Sequence, residues 1–173
     1  MSLEFEFVVK DPRWDIDQLS EVGARSAFVL SDHLIFPDMA SAVVMACSDL
    51  TIAELNKNFR GKPQPTNVLS WPSAELATRI AGRAPLLPVE AELGDIAMAF
   101  ESCISEAYTA NLSIMDHVTH LLIHATLHLI GYDHVESTDA ELMEKIEVDV
   151  LAKLGISNPC LLYTSPSPRD SSE

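Results

Sequence analysis

The chain has 173 residues, 47% of them hydrophobic and 21% charged, which is the mix of one ordinary globular domain and excludes a disordered or fibrous chain. Eleven Lys and Arg stand against 26 Asp and Glu, a net charge of −15. That balance argues against sequence-blind binding to nucleic acid or anionic membrane over a large surface, so a polyanionic partner must find a local basic patch.

In chain order, Leu3, Phe5, Phe7 and Val9 alternate with Glu4, Glu6 and Val8, the pattern of a half-buried strand. From Asp15 to about Leu34, the residues Leu19, Val22, Val29 and Leu30 recur at helical spacing until Pro37 stops the run. Ala42 to Cys47 is apolar and predicts a buried strand, and Thr51-x-x-Glu54 reads as a capping box opening a short helix that stops near Arg60-Gly61. Val68–Trp71 and Asp95–Phe100 predict two further strands. Helices follow from about Ser102, from Ser113 to Ile130, and from Thr138-x-x-Glu141 to Leu154. With strands early and helices late, the prediction is α+β: a small mixed sheet of about four strands packed with about five helices.

Composition changes after Pro159. Residues 160–173, CLLYTSPSPRDSSE, are rich in Ser and Pro and follow a helix end with its Gly cap, so the domain is expected to occupy 1–159. The tail reads either as a flexible extension or as non-native sequence, an in-frame translation of a sequencing adapter. Cys47, Cys103 and Cys160 lie far apart without a C-x-x-C pair, which indicates neither a disulfide framework nor a thiolate zinc site. The first residues carry no basic stretch leading into an apolar core, and the longest apolar run, Val118–Ile130, is short and broken by histidines. A cytoplasmic protein is expected.

Five of the six histidines fall between His117 and His134. On a helix His124 and His128, one turn apart and about 6 Å along the axis, can converge on one ion. Gly131 can take positive φ just after the helix and so lets the chain reverse, bringing His134 to the same point. Three nitrogen ligands leave a fourth position open for water, as in catalytic zinc sites. The predicted metal site is therefore His124, His128 and His134, on a C-terminal helix and the turn after it, with one Zn2+ per chain. His120 lies a further turn away and reads as a supporting or structural residue, and His117 and His33 read as structural.

The same spacing, H-x-x-x-H-x-x-G-x-x-H, occurs in metzincin proteases, where a glutamate follows the first histidine. Here that position is Ala125. A methyl group cannot take a proton from water or return it to a leaving amine, so proteolysis is disfavoured.

The run His124-Ala125-Thr126-Leu127-His128-Leu129-Ile130-Gly131-Tyr132-Asp133-His134 resembles the hallmark H-G-x-x-H-L-x-G-Y-D-H of the YbeY family of metal-dependent endoribonucleases, the rRNA maturation factors. It departs from that hallmark at Ala125, where glycine is usual. Two more blocks are similar to the family's pattern: Leu55 to Lys62 followed by Pro65 to Pro72, with Trp71 in place of Phe, and Leu93-Gly94-Asp95-Ile96. The resemblance runs from Leu3 to Pro159 and finds no counterpart for the tail. It implies a small α+β fold, zinc on the three matching histidines, and cleavage of single-stranded RNA during maturation of ribosomal RNA, notably of the small subunit. The expected partners are single-stranded RNA, ribosomal RNA, and a ribosomal particle or assembly protein, with neither membrane nor DNA.

Lys57, Arg60 and Lys62 form a basic island, Asn56–Lys62, without an acidic residue. A guanidinium grips phosphate oxygens in a bidentate way and stabilises charge developing on phosphorus, and the family's matching arginine is associated with activity, so Arg60 joins the three histidines as a catalytic candidate. Lys57 and Lys62 fit a helix end favoured by its dipole as well as substrate contacts. The general base stays unassigned, although Asp133 could orient a ligand or handle a proton. Two alternatives remain open on the sequence: a zinc hydrolase of another substrate class, and a metal-stabilised ribosome-assembly module that cleaves nothing, whose acidic surface would suit a basic ribosomal protein.

Overall fold

The computed structural model describes residues 3–60, 66–74, 76, 82–133 and 137–157, with residues 59 and 60 described by their backbone only. Among these, the elements follow in the order β1 (Leu3–Val9), α1 (Ile16–His33), β2 (Ala40–Cys47), α2 (Asp49–Arg60), β3 (Val68–Pro72), β4 (Glu92–Ala99), α3 (Phe100–Thr109), α4 (Ile114–Leu129) and α5 (Ser137–Lys153). The four strands form one mixed sheet in the order β1-β2-β4-β3. β1 with β2 and β2 with β4 run parallel, while β3 pairs antiparallel with β4. The predicted α+β class, with four strands and five helices, is the observed one.

A parallel β1–β2 pair needs a crossover, and α1 supplies it. Asp15 caps this helix, its side chain accepting from the backbone N–H groups of Asp17 and Gln18 at 2.9 and 3.3 Å. The helix then buries Leu19, Val22, Ala27, Val29 and Leu30. Gly23 permits the close approach, since a Cβ there would lie 2.6 Å from a ring carbon of Phe7 on β1.

Strand alternation sorts the sheet into two faces. Ala42, Val44 and Ala46 of β2 with Ile96 and Met98 of β4 join the main core, which includes residues of α1, α4 and α5. Cys47, Ala97, Ala99 and Leu69 point the other way, into a smaller cluster closed by Ile52 of α2.

Three boundaries differ from the sequence prediction. Helix α2 starts at Asp49, ahead of the Thr51 capping box, because Ser48 is the capping residue: its Oγ accepts from Thr51 N–H at 3.2 Å. Helix α3 starts at Phe100, directly out of β4, because Asp49 caps it from outside, its Oδ1 accepting from Ser102 N–H at 3.0 Å. Strand β4 starts at Glu92 rather than Asp95. Glu92 and Gly94 are poor strand formers, but they are recruited by pairing with Ser41 and Ala42 on β2 and, for Gly94, with Pro72 on β3.

Gly94 is also where the sheet meets the C-terminal end of α4. Its φ is +143°, and a Cβ there would overlap the Trp71 carbonyl oxygen and sit 2.9 Å from Leu129 Cδ2. An L side chain at such a φ costs about 1–3 kcal/mol before any overlap is counted. Gly94→Ala should therefore lower the unfolding free energy by about 3 kcal/mol in urea titrations. A loss under about 1 kcal/mol would mean that this contact between strand and helix is loose.

Candidate metal centre

Helix α4 carries most of the histidines, and its sequence explains why it lies inside. Every residue from His117 to Leu127 is buried, as expected of a helix that is apolar all round. Its hydroxyls are satisfied within the helix: Thr119 Oγ1 donates to Met115 O at 2.6 Å and Thr126 Oγ1 to Leu122 O at 2.7 Å. Ser113 caps its start, accepting from Asp116 N–H at 3.1 Å.

The helix ends as the glycine predicted. Gly131 has φ +104°, with Gly131 N–H donating to His128 O at 3.1 Å and Tyr132 N–H to Leu127 O at 2.9 Å. This pair of bonds is a Schellman motif, which reverses the chain after α4.

His124 and His128 meet as the i, i+4 spacing requires. Their ring centroids are 4.6 Å apart and their Nε2 atoms 3.0 Å apart. Behind His124, its Nδ1 lies 2.8 Å from Oε2 of Glu147 on α5, and the other carboxylate oxygen lies 2.8 Å from His120 Nε2. Glu147 is only 5% exposed. Burial opposes its ionisation, but attraction to His124 and hydrogen bonds from both imidazoles prevail and hold the carboxyl well below the usual carboxylate range. An ionised carboxylate only accepts, so Nδ1 of His124 is a protonated nitrogen, and in the neutral imidazole Nε2 then carries the lone pair on the side that faces His128.

These residues fit a metal ion. Two imidazole nitrogens bound to tetrahedral zinc at about 2.0–2.1 Å stand about 3.3 Å apart, so the observed pair needs to open by only a few tenths of an ångström. A nitrogen donor set suits zinc over magnesium, which prefers oxygen.

The remaining candidates are distributed unevenly. His134, Gly61 and Lys62, with the tail 160–173, lie outside the described residues, and Arg60 is placed by its backbone alone, as the last residue of α2. No group of three or more His, Cys, Asp or Glu arranged for a metal occurs among the described residues, a set that does not include His134. Lys57 is exposed and Asp133 half-buried. His33 lies 3.4 Å from Lys153 Nζ. Ala125 is 1% exposed, so its methyl is accommodated in the core.

Two carboxylates escaped the sequence reading. One is Glu147. Its signal was present, since it shares the stripe Met143, Ile146, Val150 and Leu151 on the buried face of α5, and an acid in an apolar stripe needs a partner. The other is Glu106 of α3, whose Oε1 lies 2.8 Å from His117 Nε2 and accepts from Asn67 Nδ2 at 3.0 Å. Asn67 belongs to the Pro65–Pro72 block and joins β4 through Ala99 N–H, which donates to Asn67 O at 2.9 Å. Glu106 therefore ties that block to the histidine helix.

The family model described as Endoribonuclease YbeY matches residues 15–155. The chain belongs to the endoribonuclease YbeY family. Among similar proteins, the Endoribonuclease YbeY of Paracoccus denitrificans is 47% identical over 156 residues, covering 90% of this chain and 89% of its own. That of Cereibacter sphaeroides is 47% identical over 161 residues, covering 89% and 96%. That of a Ruegeria species is 44% identical over 167 residues, covering 93% and 98%. A solution structure of a Thermotoga maritima protein matches the YbeY fold seen here with a TM-score of 0.52 at 21% identity, covering 88% of this chain and 91% of that one.

The Glu106 bridge can be tested apart from any metal. Glu106→Ala removes the shared acceptor of His117 and Asn67, and leaving buried donors unpaired costs about 1–3 kcal/mol. A thermal melt should show a corresponding fall, whereas an unchanged melting temperature would mean that the block is held by other contacts.

Proposed function

We propose that the chain is a zinc-dependent, single-strand-specific endoribonuclease that acts in maturation of ribosomal RNA, notably of the small subunit, and in ribosome assembly. Its site is His124, His128 and His134 as zinc ligands with Arg60 on the substrate phosphate, its working unit is residues 1–159, and its compartment is the cytoplasm. Among the described residues no helix is long and apolar enough to cross a membrane. The name Endoribonuclease YbeY, carried by relatives that match most of this chain, supports the reaction class. The observation that carries the metal reading is the facing pair of Nε2 atoms, 3.0 Å apart, with His124 backed by Glu147.

Bound zinc would supply a Lewis acid that acidifies water towards a pKa of about 7 and polarises a phosphoryl oxygen. The chain's own residues do the rest. Arg60 meets the phosphate oxygens and offsets charge that grows on them as the phosphodiester is attacked. Lys57 and Lys62 contact neighbouring phosphates. Ala125 offers no proton acceptor where proteases of this spacing have one, which directs the site away from peptides.

Labelled single-stranded RNA incubated with the purified protein should be cut, and a chelator should stop the cutting until zinc is restored. Retained cleavage in chelator sinks the zinc requirement, and zinc bound without any cleavage leaves the assembly-module reading in its place. Mass spectrometry of protein made without a histidine tag should find about one zinc per chain, most of it lost in His128→Ala. Arg60→Ala should keep zinc and fold while cutting at least about tenfold more slowly, the scale of one charge-assisted contact. Full activity, or loss of zinc, in that variant removes Arg60 from the phosphate.

At −15 the chain repels RNA at long range, so binding rests on a few phosphates near the basic island. With about two to four phosphates neutralised, a cleavage-dead variant should bind RNA with a salt slope of about −1.5 to −3. A slope steeper than about −5 would mean an extended basic track.

A further inference from the structure

The carboxylate behind His124 has a job of its own. Glu147 is 5% exposed and divides its two oxygens between two helix turns of α4, 2.8 Å to His120 Nε2 and 2.8 Å to His124 Nδ1. As a structural tie it is a poor choice. Burying an ionised group costs several kcal/mol, and an apolar residue of similar volume usually holds two helices together at least as well. Its neighbours on α5, Met143, Ile146, Val150 and Leu151, already provide that apolar packing.

What an apolar residue cannot do is choose a tautomer. An imidazole that gives its Nδ1 proton to a carboxylate is fixed in ring orientation, keeps its lone pair on Nε2 and becomes a more basic donor. In His124 the nitrogen that would carry that lone pair, Nε2, lies 3.0 Å from His128 Nε2. The second oxygen is occupied by His120, so the carboxyl cannot swing away from His124. The arrangement runs in sequence from His120 to Glu147 to His124 to the metal position, and each link but the last is a described contact.

We infer that Glu147, anchored by His120, is a positioning residue for metal binding, which fixes the His124 imidazole with Nε2 presented to the ion. This rests on the zinc reading of the preceding section. It assigns roles to two residues outside the three-histidine motif: a carboxylate 23 residues from the ligand it serves and a histidine that holds the carboxylate.

Two variants and two readouts test it. Glu147→Gln keeps the size and an oxygen able to accept from Nδ1–H but loses the charge, while Glu147→Leu loses the acceptor altogether. Zinc affinity, measured by competition with a chromophoric chelator, should fall about tenfold in Glu147→Gln and about a hundredfold in Glu147→Leu, the span seen when such carboxylates are removed. Long-range 15N–1H spectra of the chelator-treated protein should show His124 protonated at Nδ1 and bare at Nε2 in the wild type and in Glu147→Gln. The proton should appear on Nε2 in Glu147→Leu, a change that simple loosening of the helix pair does not produce. If Glu147→Leu fails to fold, the tenfold loss in Glu147→Gln, with its melting temperature within a few degrees of wild type, decides the matter. Zinc affinity within about twofold of wild type in a folded Glu147→Gln, or a wild-type His124 carrying its proton on Nε2, overturns the assignment. Wild-type protein that binds no zinc would instead overturn the zinc reading, whereas zinc binding that depends on His128 but not on Glu147 overturns this inference alone.

Discussion

Burying α4 puts the imidazoles of His117, His120 and His124 where solvent does not reach them, and a buried polar group without a partner costs more than most single contacts contribute. The partners come from two other helices. Glu106 of α3 takes His117, and Glu147 of α5 takes both His120 and His124. The requirement that each buried imidazole meet a carboxylate thus sets the depth and rotation of α4 between α3 and α5. Once α4 is so placed, the remaining histidine of the pair, His128, is the half-buried one. The site opens where the helix runs out of carboxylates.

The same end of α4 is held from the sheet side. Leu129 packs against Gly94, where β4 comes too close to tolerate a Cβ, and the Schellman turn at Gly131 closes the helix two residues later. Two glycines therefore act at one place for different reasons, the first for close approach and the second for a left-handed backbone. Both belong to blocks quoted for the family, Leu93–Ile96 and His124–His134. The resemblance in those blocks marks how the histidine helix is seated as much as what its histidines are proposed to bind.

Much of this was legible in the residues because the signals are local. The alternation in β1, the spacing of α1, Ser113 at the start of α4 and Gly131 at its end each depend on neighbours within about one turn. What was misread depends on a competing local signal or on distant chain. Thr51 and Glu54 make a plausible capping box, but Ser48 caps the helix first, so the box falls inside α2. Phe100 continues a β pattern, yet Asp49 on another helix caps it into α3. Glu92 and Gly94 become a strand only because β2 and β3 flank them. The i, i+4 meeting of His124 and His128 was legible for the same local reason. Glu106 and Glu147 were not, since pairing an acid with a histidine 11 or 23 residues away requires the packing of helices that no local pattern specifies.

The charge distribution around the site follows from where the carboxylates stand. On the proposed three-histidine reading, a nitrogen-only ligand set would leave a divalent ion its full charge, which would favour the approach of a phosphate in a chain that is otherwise at −15. Had Glu147 been a ligand itself, its charge would have been spent on the ion. One imidazole removed, in contact with His124 Nδ1, it would strengthen His124 as a donor to the proposed ion while staying a full ring away from the substrate's anionic oxygens. An acidic protein that is to act on a polyanion has few ways to keep a local positive potential. Holding its buried carboxylates behind the histidines, with Arg60 as the last residue of a separate helix that also carries Lys57, is one that this fold can supply.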